Sequence, residues 1–130
     1  MTTGYNLTLR GAQLDAITTF AGAGAKLRLY DGTRPATGGT ATNLLAEFTL
    51  GSPFAPASSG ATLSPTLPAA TTGAANGTAT WFRIVKADGT TQVIDGSAGT
   101  SGTDLVLNTA TISVGVNVSV SAFTITRGNA

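Results

Sequence analysis

The chain of 130 residues contains no cysteine and no histidine. The first absence excludes disulfides, thiol nucleophiles and thiolate-bound metals. The second removes the commonest metal ligand and the side chain best suited to general acid–base work near neutral pH. Neither a Ser-His-Asp nor a Cys-His arrangement can be built. Charge is scarce too, with seven Lys and Arg against six Asp and Glu. Nucleic-acid binding shows in a sequence as a basic stripe that displaces counterions from phosphates. None is visible, so no nucleic-acid partner is expected. The apolar runs fall far short of the ~20 residues that span a bilayer, so no membrane partner is expected either. The opening MTTGYNLTLRG lacks a charged region followed by an apolar run, and the chain reads as a soluble protein made in a cytoplasm, without a signal peptide.

What is present is apolar and small. Hydrophobic residues make up 42% of the chain at almost no net charge, which is not the balance of a disordered polymer. A chain of this length buries about two-thirds of its unfolded surface, enough for one domain with a core of its own. The C-terminal half sets short β-branched runs between Gly, Ser, Thr and Asp turns, with one face recurring every second residue. That is the period of a strand, and several such strands at close spacing predict an all-β antiparallel sandwich or barrel.

Residues 1–24 stand apart as an N-terminal arm or short helix, and 25–130 form the β domain, one domain overall. Leu14, Ile17, Phe20 and Ala21 share one helical face, with Gly22 and Gly24 placed to end it. The alternative is an irregular arm with a few apolar anchors. Residues 25–31 read as a strand with Leu27 and Leu29 on one face. Asp31-Gly32 turns the chain, and Pro35 keeps the next stretch out of a ladder. A second strand over 43–50 sets Leu44, Ala46, Phe48 and Leu50 inward. Residues 51–77, rich in proline, read as a long contact loop with a short edge strand around Ala61–Leu63.

Residues 78–86 give the strongest strand, with Phe82 and Ile84 on one face and Trp81, Arg83 and Val85 on the other. Ala87-Asp88-Gly89 turns it into a partner strand over Gln92 to Asp95. A flexible loop is expected over 96–103, then strands marked by Leu105 and Leu107 and by Ile112 and Val114. Val116, Val118 and Val120 hold one phase; Phe123 and Ile125 hold the other. This predicts a β-bulge near Ser121-Ala122, of the kind that lets one strand serve two sheets.

Chemistry-bearing patterns are thin. Asp31-Gly32, Asp88-Gly89 and Asp95-Gly96 are read as turn chemistry rather than a carboxylate pair, and nothing has the spacing of a calcium loop. The triplets starting at Asn6, Asn76 and Asn117 match the glycosylation pattern as chance does in a Thr/Ser-rich chain. Gly22-Ala23-Gly24 precedes a strand, where a dinucleotide motif follows one. No catalytic residue, metal site or cofactor is expected. Trp81 beside Phe82 puts aromatics on both faces of one strand, so one of them must be covered by another segment or a neighbouring subunit. A sugar-stacking platform is the alternative.

LRLYDGTRPAT (27–37), GTATWFRIVKADGTTQVIDGSAGTSGTDLVLNTATI (77–112) and VSVSAFTIT (118–126) resemble small proteins of tailed-bacteriophage structural gene clusters. Among these the chain is most similar to the capsid decoration, or cement, proteins. Residues 51–76 match poorly. The resemblance implies a jelly-roll-like sandwich and a virion structural protein, made in the host bacterial cytoplasm and carried on the capsid exterior. The implied role is to bind the outer capsid at capsomer junctions and stabilise it. The implied partners are the major capsid protein and further copies of the chain, most simply trimers at threefold positions. The residues expected to make contacts are Tyr5 and Leu7 in the arm, Arg34 and Pro35 in the first loop, Phe54 in the proline-rich loop, and Trp81. The competing expectation is a tail or fibre module that binds a host-surface glycan through Trp81.

Overall fold

The structure, a computed structural model, describes residues 4–127. The expected arm and β domain each extend three residues beyond it. Helix α1 spans Leu7–Ala21, so the first segment is a helix and not an irregular arm. Asn6 starts it: its Oδ1 accepts from the amides of Thr8 at 2.8 Å and Leu9 at 3.3 Å, which supplies partners to amides that have none within the helix. Gly22 ends it at φ 70°, a left-handed conformation that a side chain resists, with its N–H bonded to the Thr18 carbonyl. Leu14 and Ala21 are buried and Ile17 packs beside them. Phe20 departs from the expected face and lies exposed.

The strands are β1 (Lys26–Tyr30), β2 (Leu44–Thr49), β3 (Thr62–Leu63), β4 (Thr71–Thr72), β5 (Gly77–Thr78), β6 (Trp81–Val85), β7 (Gln92–Gly99), β8 (Leu105–Leu107), β9 (Thr111–Ile112), β10 (Asn117–Val118), β11 (Val120–Phe123) and β12 (Ile125–Thr126). Six of them make one curled sheet in the order β11-β8-β7-β6-β1-β2, antiparallel except where β8 runs parallel to β7. The other six pair off as β10/β4, β12/β3 and β5/β9. The chain is therefore mostly β with one short helix. Leu27, Phe82 and Ile84 of the large sheet share one buried cluster with Leu63, Ile112 and Val118 of the small ladders and with Leu14 of the helix. Phe82 meets Phe123 edge to face at 5.2 Å within it.

Several local expectations change. In β2 the pairing with β1 slips at Leu29/Tyr30, so Leu45 enters the core and Leu44 turns outward. Residues 96–99, expected in a flexible loop, continue β7, and Asp95-Gly96 lies inside the strand and not at a turn. Gly96 is there because Phe82 faces it across the ladder: a Cβ would stand 2.5 Å from the Phe82 ring. Val114 and Val116 are exposed at the turn between β9 and β10. The bulge near Ser121-Ala122 is present, as a register shift between Val120 and Ala122 opposite β8. It leaves Ser121 and Ala122 outside while Val120 and Phe123 are both buried.

Candidate interaction surfaces

One surface is the outer side of the large sheet, where the loop 31–43 lies across β6 and β7. The loop is pinned at several points. The Trp81 indole Nε1 donates to the Asp31 carbonyl at 2.9 Å and to Thr42 Oγ1 at 3.1 Å. Thr42 in turn donates to that same carbonyl, and Thr80 Oγ1 donates to the Gly32 carbonyl at 2.6 Å. The Asp31 carboxylate accepts from the Asn43 side chain and amide, and these bonds hold it below the usual aspartate range.

Beneath the loop, Arg83 meets Asp95 through two hydrogen bonds of 2.8 and 3.0 Å, with side chains only 10% and 8% exposed. A third bond runs from Arg83 Nη2 to the Gly39 carbonyl at 2.8 Å. A planar guanidinium matched to a carboxylate fits such a dry site because both charges keep partners. The bonds to Asp95 raise the arginine further above its ordinary value, against the opposing effect of burial.

Of the residues expected to make contacts, three belong to this region, two of them at its surface. Arg34 is exposed on the loop, its Nη1 3.4 Å from the Asp95 carbonyl oxygen. Pro35 is half-buried next to it, and together they line a groove of about 290 Å³ with Gln92 and Ile94. Trp81 does not reach the surface. It is 1% exposed, its ring stacked on Tyr30 at 4.5 Å with the Arg83 guanidinium 5.2 Å from its centroid. The segment that covers the outer aromatic belongs to the same chain. The indole therefore offers neither a stacking platform for a sugar nor a face for a neighbour.

The other surface is the helix. Tyr5 is half-buried with the Arg127 guanidinium 5.0 Å from its ring centroid, and Arg127 Nε donates to Gln13 Oε1 at 3.1 Å. Arg10 Nη1 lies 3.4 Å from the Arg127 carbonyl oxygen. Tyr5 thus joins the start of the described chain to its end. Leu7 is exposed at the rim of a groove of about 420 Å³ between the helix and residues 58–60. The groove floor is fixed by Ser58, whose amide donates to Asp15 Oδ1 at 2.7 Å and whose hydroxyl donates to the Gly11 carbonyl at 3.0 Å.

Phe54 lies on neither surface. The proline-rich segment folds back on itself, with the Thr66 amide bonded to the Phe54 carbonyl, and the ring is fully buried in the common core. Its burial needs no partner. Conversely, Leu9, Phe20, Val114 and Val116 are exposed apolar residues that the strand and helix periodicities assign to the core or leave aside. One signal for the helix pair was available: α1 carries only two charges, Arg10 and Asp15. Both lie away from the line joining Leu9 and Phe20.

Among the described residues no helix is long and apolar enough to cross a membrane, and no group of three acidic side chains is placed to hold a metal ion. No family model, curated protein or solved structure matches the chain.

Proposed function

We propose that the chain is a structural protein of a tailed-phage virion, a decoration protein that seats on the outer capsid at capsomer junctions. The observation that carries the reading is where the chain spends its charge and where it leaves apolar surface. Arg83 with Asp95, and Arg28 and Lys26 with Glu47, are satisfied within the molecule. Exposed leucine, phenylalanine and valine side chains gather on the helix and at the β9–β10 turn. Surfaces of that kind suit lasting protein contacts. A protein that binds the assembled shell and not its separated subunits stabilises the shell by mass action. The loop bearing Arg34 and Pro35 and the helix bearing Leu7 are the parts we assign to contact with the major capsid protein.

The finer architecture belongs to the same proposal. The small ladders serve as the second layer of a jelly-roll-like sandwich over the six-stranded sheet. Support comes from the core they share, and from the segment 117–126, which joins three different ladders in succession.

The test is the copy number of the protein in purified particles, measured by quantitative mass spectrometry against the major capsid protein. Hundreds of copies are expected. A handful assigns the chain to the tail; none overturns both virion readings.

A further inference from the structure

Strand β7 runs over eight residues, Gln92–Gly99, but β8 pairs with it only at Ala98 and Gly99. Before that point the large sheet lacks a strand. β11 lies on the far side of β8, and its continuation β12 is bonded to β3 by its other edge. Asp104, just ahead of β8, bridges the two sides: its carbonyl accepts from the Thr124 amide and its carboxylate from the Ser97 amide. With β8 between them, β7 and the segment 120–126 stand two strand spacings apart, about 9.6 Å. Where β8 is absent a cavity of about 140 Å³ remains, lined by Ile94 and Gly96 of β7, Ile125 and Thr126 of β12, and Phe82.

Both walls turn main-chain groups into this slot. The Ala98 N–H bonds back to Thr80, beside β6, whereas the Ser97 N–H bonds Asp104 on the opposite side. Antiparallel ladders alternate in this way, so Asp95, two residues before Ser97, also points its N–H and C=O away from β6. On β12 the Arg127 N–H bonds Ala61 on the β3 side, and the Thr124 N–H bonds Asp104 on the β8 side. Thr126 therefore faces the slot as Thr124 does. We propose that the slot between β7 and β12 binds an extended segment of another protein by strand addition. The segment carries a small apolar side chain facing inward and, next to it, an acidic side chain facing outward.

The two faces of the slot set that alternation. Inward lies the 140 Å³ cavity, where Gly96 contributes no side chain and Phe82, Ile94 and Ile125 offer apolar surface. Outward lies the groove of about 290 Å³ beside Arg34, which shares Ile94 and Asp95 with that cavity. The Arg34 guanidinium has five N–H donors. One reaches the Asp95 carbonyl at 3.4 Å, and among the described residues no carboxylate pairs with it. A carboxylate placed there completes a forked pair.

Charge also tells which chain supplies it. The six acidic side chains of this protein are all engaged within the molecule: Asp15 by Ser58, Asp31 by Asn43, Glu47 by Arg28, Asp88 by Thr91, Asp95 by Arg83 and Asp104 by Ser97. A second copy has no uncommitted acidic side chain to offer Arg34, so the occupant is a different protein. Four or five residues suffice for it, because main-chain bonds give affinity and alternate side chains give specificity. Strand addition here does not depend on the virion reading.

The experiment titrates the full, isotope-labelled chain with a synthetic probe, acetyl-Ser-Val-Glu-Val-Ser-amide, and follows amide chemical shifts. Saturable shifts are expected at Asp95 and Thr126, with slowed hydrogen exchange at both. The analogue with Lys in place of Glu should bind at least tenfold more weakly, as should the probe N-methylated at both valines. Arg34→Glu, a change at an exposed position, should reverse the preference, so that the Lys probe binds more tightly than the Glu probe. Unmoved Asp95 and Thr126 amides at millimolar probe overturn the proposal. Equal binding of the two probes, or the same preference in Arg34→Glu, overturns the acidic partner. Undiminished binding of the N-methylated probe rules out strand addition. A chain that sediments as a dimer and turns monomeric with the probe overturns the choice of another protein in favour of a second copy.

Discussion

The six-stranded sheet and the three small ladders are built from the same few residue types, yet they hold together differently. In β6 all five residues are buried, the inner face by packing and the outer face by the loop 31–43. Large side chains in register do the work there. Each strand of the small ladders is only two residues long. Their cohesion comes from backbone brought unusually close and from side chains bonded to backbone. A Cβ on Gly73 would stand 2.2 Å from the Ser113 carbonyl oxygen. Asn76 Oδ1 accepts from the Val114 amide at 3.0 Å. Where side chains are small, specificity passes to the main chain.

That contrast is sharpest at Phe82. Phe82→Ala removes a ring shared between the sheet and Phe123, and it should cost on the order of 3–5 kcal/mol in a denaturant titration. An unchanged unfolding midpoint would refute the core assignment. Gly73→Ala adds only a methyl group, yet it forces the ladder apart against backbone. A loss of up to about 3 kcal/mol is expected, with increased amide exchange in β4 and β10 preceding any in β6. If β6 exchanges as early as the ladders, the two regions are one cooperative unit and the comparison fails. Asn76→Ala should cost about 1 kcal/mol, the usual net worth of one such bond, read as a small shift in melting temperature.

Acid gives the smallest effect. The Asp88 carboxylate accepts from the Thr91 hydroxyl and from the amides of Thr91 and Thr90, and these bonds hold it well below the usual aspartate range. A depressed native value contributes stability that is complete above the ordinary aspartate value and lost as pH falls below it toward the native one. Exchange at Thr90 and Thr91 should therefore stay flat from neutral pH down to that range, after correction for intrinsic rates, and rise only below it. A rise already near pH 6 would mean that the turn is held some other way.

The sequence discloses the large sheet better than the ladders, for the same reason. Leu27, Leu29, Phe82 and Ile84 alternate in a way that only a half-buried strand explains, and the phase change between Val120 and Phe123 marks its bulge. Glycine is what misleads. Asp31-Gly32 and Asp88-Gly89 place Gly32 and Gly89 at positive φ, as turns do, whereas Gly96 makes room for the Phe82 ring inside β7. A dipeptide carries no information about which aromatic lies opposite. The site was legible in part. Arg34, Pro35 and Leu7 lie on grooves, but Phe54 and Trp81 are covered by segments whose folding back depends on distant partners. The bare side of the helix escaped notice because Phe20 fits the period of the buried face as well as that of the exposed one.

The segment 117–126 touches β4, then β8, then β3. Seen as a matter of timing, it is the last part of three ladders to be made, and β3 and β4 wait for it across a long stretch of chain. Loop closure over such separations slows folding more than it costs stability. During synthesis the edges of β3, β4 and β8 stay unpaired until this short stretch arrives, and one stretch then closes all three.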